Sequence, residues 1–113
     1  MTTLSLNVGN FITLKLTQTN YSLWREQALA LAESQELVEH LTTADSAPTK
    51  YTTPNADAQN SVPTLTEAFK AWHKSDRLLR GWIIGTLSEE ALGLAVGLET
   101  TYSVWEALKN SYA

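Results

Sequence analysis

A chain of 113 residues, 43% of them apolar, has room for one domain with a single packed core. Its formal charge of −4, with eight Lys and Arg spread along the sequence, argues against direct nucleic-acid binding, because phosphate contacts need clustered cations. The absence of cysteine excludes disulfides, thiolate zinc sites and cysteine nucleophiles.

The segment Met1 to Asn10 has no basic start followed by an apolar block, so no signal peptide is expected. No apolar run approaches the ~20 residues of a membrane span, and the expected compartment is the cytoplasm. Phe11 to Leu16 alternates apolar and polar residues and is expected to lie extended against the helices.

The first helix is predicted from an Asn20 cap to about Glu33, with Tyr21, Trp24, Ala28, Leu31 and Ala32 on one face. Leu23 and Ala30 fall on the opposite side, with Gln27 beside them. A helix needs one apolar face to join its own core, so Leu23, Gln27 and Ala30 form a candidate protein interface. The alternative is that Phe11 to Leu16 folds back over this patch. A short helix is predicted over Gln35 to Leu41.

From Thr42 to Thr64 the text turns to Thr, Asp, Ser, Asn and Gln with Pro48, Pro54 and Pro63, and reads as a long mobile loop, with a partner-binding loop as the alternative. A long helix follows a Thr66 cap and runs to about Thr86. Leu65, Phe69, Trp72, Leu79, Ile83 and Leu87 make one stripe at helical spacing. Asp76 interrupts that stripe, and a carboxylate on a core face must find donors; an indole N–H, a helix start and Arg25 are the candidates. Beyond Arg80 the helix is apolar on several sides, which suits a buried element or one shared with a partner.

Ser88-Glu89-Glu90 restarts a helix, with a hydroxyl cap and acids where the dipole favours them. It is expected to end near Gly97. Thr100 or Thr101 then caps a last helix to Tyr112, with Trp105, Leu108 and Tyr112 inward. Gly81, Gly85, Gly93 and Gly97 are expected at close helix contacts or helix ends. The predicted fold is therefore all-α: about five helices in a single domain over 1–113, with a short extended N-terminal segment and the loop over 42–64. Trp24, Trp72 and Trp105, on inner faces of three helices, are expected to share one cluster.

Candidates for chemistry are few. His40 and His73 lack a second ligand at metal spacing and are expected at the surface. No Ser, His and Asp pattern suggests an activated nucleophile. No catalytic, cofactor-binding or metal-binding residue is assigned, and an enzyme is not expected.

Taken together, Leu14-Lys15-Leu16, Asn20-Tyr21, Trp24, Leu37 and Leu41 resemble the start of the Gag polyprotein of Copia-type LTR retrotransposons. Trp72, Asp76, Leu79, Leu87-Ser88-Glu89-Glu90, Gly97-Leu98-Glu99-Thr100 and Trp105-Glu106-Ala107-Leu108 extend the likeness over about residues 11 to 113. The resemblance implies a capsid N-terminal lobe, a helical module that self-associates into a particle shell. Tyr21, Trp24, Trp72, Asp76 and Trp105 would then be the structural framework of the fold. The family's second lobe and its RNA-binding zinc knuckle have no counterpart in this sequence, so RNA packaging is not assigned to it. The expected partner is the chain itself, weakly for the isolated lobe. The competing reading is a domesticated Gag-like host protein whose lobe binds a peptide or protein.

Overall fold

Three helices begin at hydroxyl caps that the sequence marks plainly. The computed structural model describes residues 7–53 and 62–113. Among them, Thr66 Oγ1 accepts from Phe69 N at 3.1 Å, Ser88 Oγ from Ala91 N at 3.2 Å and Thr100 Oγ1 from Ser103 N at 3.1 Å. Each bond satisfies an amide that the first helical turn leaves unpaired. The helices are α1 (Tyr21–Ser34), α2 (Val38–Thr42), α3 (Glu67–Ile84), α4 (Glu89–Ala95) and α5 (Thr101–Tyr112), preceded by one 3-10 turn at Val8–Asn10. Among the described residues the fold is an all-α bundle of five helices.

Asn20 precedes α1 but makes no side-chain cap bond. Its Oδ1 accepts from Thr17 N at 2.8 Å and its Nδ2 donates to Lys15 O at 2.9 Å. The side chain thus fixes the angle at which the N-terminal segment enters α1. That segment lies against the helices as expected but is not extended throughout: Phe11 completes the 3-10 turn and Leu14 bends. Leu16 N donates to Thr86 O at 2.8 Å and Ser88 N to Leu16 O at 3.1 Å, a one-residue parallel bridge across the α3–α4 corner. Leu16 and Ile12 are buried there, each contributing roughly 2 kcal/mol by removal from water.

The core joins Leu16, Trp24, Leu31, Leu79, Ile83 and Leu108, with small Ala28, Ala91 and Ala95 where helices approach. α2 starts at Val38, three residues later than predicted, because Glu36 turns left-handed at φ 57° and ends the α1 direction. α3 stops at Ile84 rather than Thr86. There Thr86 Oγ1 donates to Ile83 O at 2.6 Å and closes the turn. Gly97, at φ +82°, sits in the left-handed region that glycine tolerates and ends the α4 segment as expected. Gly81 and Gly93 face open space, so close helix packing does not explain them.

The stripe on α3 divides. Leu79, Ile83 and Leu87 are buried, Phe69 and Trp72 are half-buried, and Leu65 is exposed. Leu65 pairs instead with Tyr51 in an antiparallel bridge. Thr52 N donates to Thr64 O at 2.8 Å and Thr66 N to Lys50 O at 2.9 Å. These bonds tie both flanks of the 42–64 connection to the start of α3, where a mobile loop was expected; residues 54–61 lie outside the described residues.

Candidate interaction surfaces

Trp24 is fully buried and its ring lies 5.7 Å from Trp105 and 6.3 Å from Tyr21. Its indole N–H donates to Thr86 Oγ1 at 3.0 Å, so the largest core side chain also locks α1 to the α3–α4 corner. Trp72 does not join this cluster. It stacks on His40 at 5.3 Å, meets Phe69 at 5.8 Å and donates its N–H to Ser46 Oγ at 3.1 Å. A helical wheel shows which way α3 points a residue but not which element covers it, and the N-terminal half of α3 is covered by α2 and the 43–53 segment.

Asp76 has the donors its position requires. Its Oδ1 lies 2.9 Å from His40 Nδ1, and its Oδ2 accepts from Thr101 N at 3.2 Å, at the start of α5. Thr101 Oγ1 also donates to the Asp76 carbonyl at 2.7 Å. Of the three predicted donors, the helix start is realised; no indole and no Arg25 contact is made. His40 is buried rather than at the surface, because this carboxylate awaits it. His73 is exposed as expected. The cluster joins α2, α3 and α5 as a structural device.

On α1, Leu23 remains 64% exposed and Ala30 is exposed. Gln27, between them, is engaged within the chain: it accepts from Thr13 N at 3.0 Å and donates to Thr13 Oγ1 at 2.9 Å. The N-terminal segment therefore docks beside the patch and grips its centre, yet leaves Leu23 and Ala30 open. The same segment and α3 border an open cavity of about 340 Å³ lined by Val8, Ile12, Leu14, Lys15, Trp82 and Gly85.

A larger cleft, about 660 Å³, lies at the other end of α3, with Tyr51, Phe69 and Trp72 as its aromatic floor and Lys50, Lys70 and Arg77 around it. Lys50 Nζ stands 5.4 Å from both the Tyr51 and Phe69 ring centres, a cation–π arrangement. Glu67 pairs with Lys70 at 3.2 Å and Glu99 approaches Arg77 at 3.8 Å. Lys50 makes no ion pair among the described residues. Sequence reasoning missed this cleft because it read the Lys and Arg residues as spread along the sequence; in the fold the Tyr51–Leu65 bridge brings Lys50 beside the cations of α3.

Two phenols titrate high. Burial raises Tyr21 above its ordinary value, against the pull of the Arg25 guanidinium. Burial and then Glu90 raise Tyr112. Among the described residues no three His, Asp or Glu side chains gather as metal ligands, and no helix is long and apolar enough to cross a membrane.

No family model and no solved structure matches the chain. It is 32% identical over 108 residues to the retrovirus-related Pol polyprotein from transposon RE2 of Arabidopsis thaliana, and 28% identical over 108 residues to that from transposon RE1 of the same plant. The chain is related to retrotransposon polyproteins. Both alignments cover 96% of this chain and 7% of the polyprotein, so the chain spans a small fraction of its relatives' length. The retroelement relationship thus extends over nearly the whole helical unit.

Proposed function

We propose that this retroelement-derived chain is the N-terminal lobe of a Copia-type Gag capsid protein, which self-associates to help build a virus-like particle. One observation carries the reading: the relationship to two transposon polyproteins runs along 96% of an all-helical unit that corresponds to only 7% of each. Exposed apolar side chains on three helices, Leu23, Leu78, Leu92 and Leu94, supply surface for contacts between copies. In this reading the lobe is a building element of the cytoplasm, with its own copies as partners. It performs no catalytic step, holds no cofactor and leaves nucleic acid to other parts of the protein.

Electron microscopy of the open reading frame that encodes this chain, expressed whole, tests the proposal. Closed particles of regular size are expected. A protein that stays monomeric at high concentration and forms no particles refutes it.

A further inference from the structure

The cationic cleft on α3 and the outer face of α4 are both exposed and carry opposite charge. Ala91 and Ala95 hold α4 in its own core. The opposite side carries Glu89 and Leu92, one turn apart, with Gly93 beside Leu92 and Val96 just past the helix end. All four are exposed, Val96 at 76%. A glycine inside a helix lowers its stability, and an added Cβ at Gly93 meets nothing within 4 Å, so the fold itself gives no reason for it. A bare backbone on an apolar, acid-tipped face suits close approach by another surface.

The cleft offers the counterpart. Its floor is aromatic, and Lys50, Lys70 and Arg77 bring positive charge against the one acid of its lining, Glu99, on a molecule whose net charge is −4. Lys50 makes no ion pair among the described residues. We propose that the Lys50–Phe69–Trp72 cleft of one copy receives the outer face of α4, Glu89 and Leu92 with Val96 just past the helix end, from a second copy. Leu92 and Val96 lie on the aromatic floor, and Glu89 meets the lysines. Because the two surfaces differ, the contact is head-to-tail, and repetition generates rings or filaments according to its rotation. The inference rests on the self-association reading and specifies which faces carry it.

Charge exchange tests it in the whole chain. Sedimentation velocity should show weak, salt-sensitive self-association. Lys50→Glu with Lys70→Glu should weaken it roughly tenfold or more, and so should Glu89→Lys. Mixing the two variants should restore association, since each then finds an opposite charge. Glu89→Lys alters the first turn of α4, so Val96→Ser, at an exposed position outside the helix, provides a second probe and should also weaken association with an unchanged melting temperature. Wild-type chain that never associates, or folded charge variants that associate normally or are not rescued by mixing, overturns the proposal. So does a single-stranded RNA oligonucleotide whose binding is lost in the lysine variant while sedimentation is unaltered, which assigns the cleft to RNA instead. Particles from the whole reading frame that tolerate these substitutions refute this contact and leave the capsid reading standing. Charge rescue without particles does the reverse.

Discussion

Asp76 and His40, separated by 36 residues in sequence, meet at 2.9 Å in the interior, and the same carboxylate holds the first amide of α5. Replacing Asp76 by Ala leaves a buried imidazole and a buried backbone N–H without an acceptor. The expected loss is about 3 kcal/mol in denaturant unfolding, with Asp76→Asn losing less because it retains an acceptor oxygen. A change below about 1 kcal/mol for the alanine variant contradicts the structural role given to Asp76.

The tryptophans should separate by burial. Trp24→Ala and Trp105→Ala each remove a side chain from the core and should cost about 3–5 kcal/mol. Trp72 is half-buried and outside that cluster, so Trp72→Ala should cost less, roughly 1–2 kcal/mol. Equal losses at all three positions, measured by chemical denaturation, refute the division into two aromatic groups.

Most of the architecture was readable in the sequence because its signals are local. Thr66, Ser88 and Thr100 are caps whose partners lie three residues away. The inner face of α1 follows from helical spacing alone. Asp76 announced itself as an anomaly, and one of its predicted partners was found. What could not be read depends on pairings across the chain: the burial of His40, the departure of Trp72 from the tryptophan cluster, and the arrival of Lys50 beside α3. Helical periodicity carries no information about which distant segment covers a face. That limit also hid the aromatic cleft.

Alkaline unfolding should report Tyr21. Its pKa in the folded chain lies above the ordinary value of 10.0, mainly through burial. As pH rises past about 10, the unfolded chain loses this proton while the folded chain keeps it, so stability falls until the folded phenol also ionises. Tyr21→Phe should reduce that slope, leaving the part due to Tyr112, whose pKa is raised as well. At neutral pH the same change should cost little, since the buried hydroxyl finds no hydrogen-bond partner among the described residues. An unchanged alkaline slope, followed by circular dichroism melts, contradicts this assignment.

The α1 patch makes the most demanding prediction, because Leu23 and Ala30 stay open while Gln27 is occupied by Thr13. Leu23→Glu with Ala30→Glu introduces two charges at positions already in water. The folded chain should therefore keep its stability to within about 0.5 kcal/mol. Gln27→Ala should behave differently: it removes the acceptor for Thr13 N and loosens the N-terminal segment, costing about 1 kcal/mol. If α1 is an assembly contact, the double glutamate variant of the whole reading frame folds normally and fails to form particles. A double variant destabilised by several kcal/mol would mean that the patch is covered within the chain. Normal particles from a stable double variant exclude α1 from the lattice and leave the α3 cleft and the outer face of α4 as the surfaces to pursue.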